Sequence, residues 1–314
     1  WDGGRVCCRG VARGRWVRTD VGTPGISRCG CDGLKRSVVA PAIACDMVGC
    51  IGVIEVGAGW DVAGMKTTAK KDGDDYIING SKMWITNSPK SDFICLLANT
   101  SDDKPHKNKS LIVVPTKTPG ISFSPHLNKL GMRSSETAQI FFDDLRVPQR
   151  YRIGTEGTGF MMQMLQFQEE RLWGAANVIK ALENCINKTI EYCRERKTFG
   201  QPLIDNQVIH FRLAELQTEV EALRALTYQA CELHVEGKDV TRLASMAKLK
   251  AGRLGREVTD SCLQYWGGNG YMWDNPISRA HRDVRLVSIG GGADEIMLGS
   301  ICKMMGTLPG KKRD

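Results

Sequence analysis

Three glycine clusters are the places where a ligand could lie against bare backbone: Gly57-Ala58-Gly59, Gly267-Gly268-Asn269-Gly270 and Gly290-Gly291-Gly292. Without a Cβ, such segments let backbone N–H groups approach a bound group closely, and ordinary flexible turns share the composition. None of them is a G-x-G-x-x-G between a strand and a helix, so a Rossmann dinucleotide site is unsupported. A P-loop and a G-x-S-x-G nucleophile elbow are also missing. The twelve cysteines include no C-x-x-C pair and no Cys/His cluster at zinc spacing, so no metal site is expected. Scattered thiols suit a reducing compartment better than a disulfide framework. The formal charge of +8 would suit a polyanion such as nucleic acid, an acidic membrane or a phosphate-rich cofactor. Its basic residues are interleaved with acids in helical patterns, so solvated helix faces account for them and no nucleic-acid partner is expected.

The elements that must position these residues fall into two textures. From about Gly33 to Gly154 the pattern is mainly β. Tyr76-Ile77-Ile78, the turn Asn79-Gly80 and Ser81-Lys82-Met83-Trp84-Ile85-Thr86 read as a hairpin. Apolar runs of strand length follow at Phe93–Ala98, Leu111–Pro115, Ser122–Ser124 and Gln139–Phe142. After Gly159, stripes of helical period take over. The first runs from Phe160 and Met164 toward Ile190; the second covers Val208–Leu226, the third Leu243–Cys262, and the fourth begins at Met297 and Ile301. The expected fold is α+β: an antiparallel β-barrel or sandwich domain over residues 34–156, then a four-helix bundle over 157–308 and a tail, 309–314. Residues 1–33, rich in Gly, Arg and Cys and without periodicity, read as an atypical or disordered segment. No run of about eighteen apolar residues predicts a membrane span.

Seven blocks, in order, resemble the acyl-CoA dehydrogenase family. They are Glu55-Val56-Gly57-Ala58-Gly59-Trp60-Asp61, Met83–Asn87, Leu130–Ser135, Phe142–Pro148, Arg196–Gly200, Gln264–Tyr271 and Asp294–Met297. The match spans Leu34 to Leu308 and leaves out the family's N-terminal helical domain. The resemblance implies FAD-dependent α,β-dehydrogenation of an acyl-CoA thioester to the trans-2-enoyl-CoA, in fatty-acid or branched-chain catabolism. It implies electron-transferring flavoprotein as electron acceptor, a homotetramer or homodimer, and a mitochondrial matrix location, or the cytoplasm in a bacterium. An acyl-CoA oxidase, or a non-catalytic relative acting as an interaction protein, is the alternative.

The same resemblance assigns residues. Family members carry a catalytic Glu at one of two positions. One matches Gly291, which has no carboxylate; the other, used in the long-chain and isovaleryl branches, matches Glu170, followed by Arg171. Glu169 beside it reads as a solvated helix residue. FAD contacts are implied at Cys50, Val53, Ile54 and Gly59 along the isoalloxazine edge, and at Trp84, Ile85 and Thr86 against the flavin. Arg196, Thr198 and Phe199 would reach the pyrophosphate of a neighbouring subunit, with Gln207, Gln264, Gly267 and Gly268 across that interface. Ala293 and Glu295 complete the cofactor set. Trp60, Gln168, Arg171, Gly291 and Gly292 are implied on the substrate side. Three positions depart from the family: Ile54 and Ala293 replace hydroxyl residues aimed at the flavin, and Trp60 replaces a serine near the thioester path.

Overall fold

The computed structural model describes Val17, residues 21–59 and residues 61–309. The chain divides into two units, one ending at Phe167 and the other beginning at Gln168.

The first unit holds strands β1 (Gly49–Gly52), β2 (Thr68–Asp72), β3 (Asp75–Thr86), β4 (Phe93–Asn99), β5 (Lys109–Pro115), β6 (Ile121–Phe123), β7 (Thr137–Pro148) and β8 (Arg152–Ile153). Their order is β6-β7-β3-β2-β4-β5-β8, with β1 beside β4. Only Thr68 and Asn99 join β2 to β4, so the sheet behaves as two leaves hinged at one pair. Ile94, Leu96, Ile112 and Val114 of one leaf bury against Tyr76, Ile78, Ile140 and Leu145 of the other. The intervening residues Phe93, Cys95, Leu97, Leu111 and Val113 face a second apolar cluster. Both faces of β4 and β5 are therefore covered, which is why they read as unbroken apolar runs. The sandwich expectation holds. Closure into a barrel does not, since the strand path ends at β6 and β8, and β1 runs parallel to β4.

Two expectations fail here for identifiable reasons. Asn79-Gly80 is not a hairpin turn: β3 runs straight through it, paired with β2 on one side and β7 on the other, with a register shift between Ile78 and Gly80. Gly80 has φ 140°, and a Cβ there would sit 2.6 Å from Thr67 Oγ1 and 2.8 Å from Thr67 Cα. The glycine marks close backbone approach at a bulge. Gly80→Ala should cost about 1–3 kcal/mol, read as a lower urea midpoint with an unchanged slope. The stretch after Gly33 is helical, not β. A helix at Pro24–Cys29 is followed by helical turns at Asp32–Leu34, Lys35–Val39 and Ala40–Ala44. Ile26, Leu34, Val38 and Ala42 bury into the cluster under β4 and β5, so part of the segment read as atypical is packed core.

The second unit is helical. α1 (Gly159–Glu195) starts in the first unit and runs on into the second; α2 (Gln207–Val235), α3 (Thr241–Tyr265), α4 (Pro276–Val284) and α5 (Asp294–Met305) follow. Val178, Leu182 and Ile186 of α1, Leu216, Val220 and Leu223 of α2, and Ala251, Leu254 and Val258 of α3 share one core. The four expected stripes are α1, α2, α3 and α5. α4 shows no stripe in the sequence because it buries only Ile277 and Val284 of its apolar residues. Its start was legible: Asn275 Oδ1 accepts from Ile277 N and Ser278 N, and Pro276 takes the first helical position. No helix among the described residues is long and apolar enough to cross a membrane.

Candidate functional site

In the first unit the loop after β1 is held from beneath by a lysine. Lys82, on β3 and fully buried, donates from Nζ to Glu55 Oε1 at 2.9 Å and to Val53 O at 3.0 Å. Glu55 also accepts from Lys66 N (2.7 Å), Thr67 N (3.0 Å) and Thr67 Oγ1 (2.6 Å). Met83 N donates to Ile54 O at 2.8 Å. The backbone from Val53 to Glu55 is thus fixed at each residue. Burial pushes the Lys82 ammonium down to about 8, against the attraction of Glu55. Burial alone would raise the Glu55 carboxyl, but Lys82 and the donors from Thr67 and Lys66 hold it below its ordinary value.

Around this pinned loop the implied cofactor residues divide. Ile54 packs its side chain against the apolar cluster beneath the sheet, and Val53 is buried in it. Cys50 lies in the sandwich core, where burial pushes its thiol up to about 12. Its contribution is packing, not a charged contact. A Cβ on Gly59 would meet nothing within 4 Å. A register shift between Lys82 and Ile85 breaks the alternation of β3. Ile85 and Thr86 stay buried, while Trp84, with φ 58°, is 55% exposed. Positive φ on a tryptophan is a strained conformation, of the kind that clusters at ligand sites. Trp60 lies outside the described residues.

Two further groups form within the second unit. In the first, half-buried Glu170 and Arg171 lie on α1, and Arg171 Nη1 donates to Ser245 Oγ of α3 at 3.3 Å. Burial lowers the Arg171 guanidinium from its ordinary value, and Glu170 opposes this. Gln168 is half-buried one turn earlier, and Glu169 faces His234 at 3.4 Å. One turn along α3 from Ser245, buried Lys248 donates from Nζ to Gly292 O. The turn bearing Glu170 and the loop bearing Gly291 and Gly292 are therefore both tied to one face of α3. Gly291 (φ 67°) and Gly292 (φ 93°) need backbone freedom that only glycine supplies cheaply. Ala293, at the N-cap of α5, makes no side-chain capping bond, and Glu295 is exposed in its first turn. Ala293→Thr should stabilise the chain by about 0.5–1 kcal/mol, measured by thermal or urea unfolding.

The other group sits where α1 ends. β9 (Lys197–Thr198) and β10 (Gln201–Pro202) pair antiparallel, with Phe199 (φ 52°) and Gly200 (φ 85°) as the two-residue turn. Positive φ at both is the type I′ hairpin geometry. It leaves the Phe199 ring fully exposed. Trp266 stacks on Tyr192 at 4.2 Å and 9°, and its Nε1 donates to Thr189 Oγ1 at 3.1 Å. Tyr265 Oη donates to Val208 O at 3.4 Å. These contacts bring exposed Gln264, Gly267 and Gly268 to the same end as exposed Arg196 and Gln207. At ~1.5 Å rise per residue, the Glu170 turn and Arg196 are ~39 Å apart along α1. Glu55, Lys82, Ser245 and Lys248 join these groups through their contacts in the fold, not through a role that the sequence assigns them.

Residues 50–145 match the family model for the acyl-CoA dehydrogenase middle domain, and residues 157–306 the model for its C-terminal domain. The long-chain specific acyl-CoA dehydrogenase of Rattus norvegicus is 35% identical over 291 residues, 92% of this chain and 68% of that one. The chain belongs to the acyl-CoA dehydrogenase family. The cyclohexane-1-carbonyl-CoA dehydrogenase of Geobacter metallireducens is 38% identical over 78% of this chain. The match spans 64% of that relative's length, just under two thirds. The crystal structure of acyl-CoA dehydrogenase from Geobacillus kaustophilus superposes with a TM-score of 0.92 at 35% identity, covering 93% of this chain and 78% of that one. Members are oxidoreductases, and their middle-plus-helical architecture is the one built here.

Proposed function

We propose that the chain carries the acyl-CoA dehydrogenase reaction, with Glu170 as the base that removes the α-proton of an acyl-CoA thioester. The observation that carries this reading is the pairing of Glu170 with Gly291. Of the family's two base positions, one holds a carboxylate and the other a residue without a side chain, and both are tied to α3. Glu170 Oε takes the α-proton, and Arg171 beside it supplies a fixed positive charge in a partly desolvated setting. FAD, when bound, supplies the two-electron acceptor for the β-hydrogen.

The residues present fit that cofactor. Exposed Trp84 and Phe199 offer flat aromatic faces from strained backbone, and open glycines at 59, 267 and 268 leave room for close approach. In the first unit Trp84, Ile85, Thr86, Val53, Ile54 and Gly59 would hold the flavin side; in the second, Ala293 and Glu295 are the cofactor positions of the last loop. Arg196, Thr198, Phe199, Gln207, Gln264, Gly267 and Gly268 would hold the phosphate side for a neighbouring subunit, since ~39 Å of rise along the helix separates Arg196 from Glu170 in its own. Gln168, Gly291 and Gly292 would flank the acyl group.

A homotetramer or homodimer, with electron-transferring flavoprotein as acceptor, completes the reading. The compartment is the mitochondrial matrix, or the cytoplasm in a bacterium. Exposed Val208, Phe211, Tyr271 and Trp273 in the helical unit support self-association. Arg196→Ala should lower bound flavin and loosen the oligomer together, read by absorbance and sedimentation; a monomer that keeps FAD tightly would contradict it. The direct assay is mass spectrometry of the thioester product with a dye acceptor: loss of two hydrogens is expected. Rapid reoxidation in air would instead favour an oxidase. The non-catalytic alternative draws on Ile54 and Ala293, which lack the hydroxyls the family aims at the flavin; a chain that never takes up FAD would favour it.

A further inference from the structure

Lys248 matches none of the positions assigned above, yet it is only 2% exposed and its ammonium is spent on one backbone carbonyl, Gly292 O. That carbonyl closes a run of two residues with positive φ, Gly291 and Gly292, and the cap that follows, Ala293, makes no side-chain bond. Ile289 N and Gly290 N donate to Leu286 O on one flank and Arg256 Nη2 donates to Asp294 Oδ2 at 3.3 Å on the other, so Lys248 reaches the glycine stretch between two tied flanks. The same face of α3 carries Ser245, bonded to Arg171 at 3.3 Å, and Gly252, where a Cβ would meet Ser288 Oγ at 2.7 Å and Asp294 Oδ1 at 3.1 Å. Positions 245, 248 and 252 are neighbours on one helix face. One stripe of α3 thus touches the helix of the proposed base, the glycine loop and the start of α5.

We propose that Lys248 is a positioning residue, which clamps the 290–295 turn onto α3 through the Gly292 carbonyl and so sets that turn in register with Glu170. The catalytic consequence rests on the functional reading above; the clamp does not. The charges facing the ammonium are Arg171 from α1 and Asp294 and Glu295 from α5, with Arg253 and Arg256 of α3 itself drawn to Asp294. Burial pushes the amine down to about 8, partly offset by Asp294 and aided by Arg171. Between that pH and the ordinary lysine value the opened turn binds more protons than the closed one, so the closed turn gains stability over the opened one as pH rises.

The test is hydrogen exchange on the full chain, following peptides across residues 286–297 in wild type, Lys248→Met and Lys248→Gln, from pH 7 to 9 with intrinsic rates corrected. Lys248→Met should lower protection there by roughly ten- to a hundredfold, the value of one charge-assisted bond. Once intrinsic rates are corrected, wild type should gain protection in that segment as pH rises past 8, and the methionine variant should show no such step. Lys248→Gln, which keeps a donor, should lie between the two and serves if the methionine variant does not fold. In the FAD-loaded chain, flavin reduction by thioester should slow by roughly a hundredfold with little change in thioester affinity. Unchanged protection across 286–297, or a loss spread evenly over α1, α2 and α3, overturns the proposal. If Lys248→Met loosens the turn but no acyl-CoA bleaches the wild-type flavin, the clamp stands and the functional reading fails.

Discussion

Glu170→Gln in the FAD-loaded chain should slow flavin bleaching by acyl-CoA about 10²–10⁴-fold, the usual worth of a positioned general base, while thioester affinity stays within a few-fold. The amide keeps the shape of the side chain and its contacts but cannot accept the α-proton. Because the turn at Gly291 is tied to the same face of α3, a carboxylate placed there should recover part of the loss. Glu170→Gln with Gly291→Glu is expected to regain about one decade and no more, since φ 67° at position 291 strains any residue with a Cβ. Stopped-flow absorbance at the flavin band under anaerobic conditions reads both. An unchanged rate in Glu170→Gln would remove the base from this helix.

Lys82→Met should destabilise the chain by about 3–5 kcal/mol, because it leaves Glu55 buried with its charge unpaired. Adding Glu55→Gln should return most of that loss, the coupling expected of residues in one network. The pH dependence has a definite sign. Lys82 titrates at about 8 when folded and near the ordinary lysine value, about 10.4, when unfolded. Between those values the unfolded chain binds more protons, so the stability of wild type rises with pH relative to Lys82→Met. The gap in urea unfolding free energy should widen from pH 8 to pH 10. A gap that narrows, or a methionine variant as stable as wild type, contradicts the buried pair. Loss of the pair should also lower FAD uptake, since Val53 O and the Glu55 turn depend on it.

The elements that can be read from sequence are those whose burial is simple. β4 and β5 are covered on both faces, and α1, α2 and α3 bury one continuous stripe, so their patterns are plain. Asn79-Gly80 misleads because the dipeptide is a strong turn signal, and the reason for the glycine is Thr67, a neighbour across the sheet. Lys82 stands in phase with Tyr76 and Ile78, whose side chains face the core. Lys248 likewise stands in phase with Ala244 and Ala251 on the buried face of α3. A lysine in an inward position is a readable anomaly, but its partner is not. Glu55 lies 27 residues away from Lys82, and Gly292 lies 44 from Lys248. The implied site residues that carry only backbone or packing roles, such as Cys50 and Val53, could be separated from exposed Trp84 and Phe199 only by burial.

The most direct measurement is an anaerobic titration of the FAD-loaded chain with straight-, branched- and cyclic-chain acyl-CoAs, followed at the visible flavin band. The chain is expected to take up flavin and at least one thioester to bleach it, with the rate tracking the carboxylate at Glu170. A chain that binds FAD and is bleached by none of them, or that takes up no FAD at all, contradicts the proposed function.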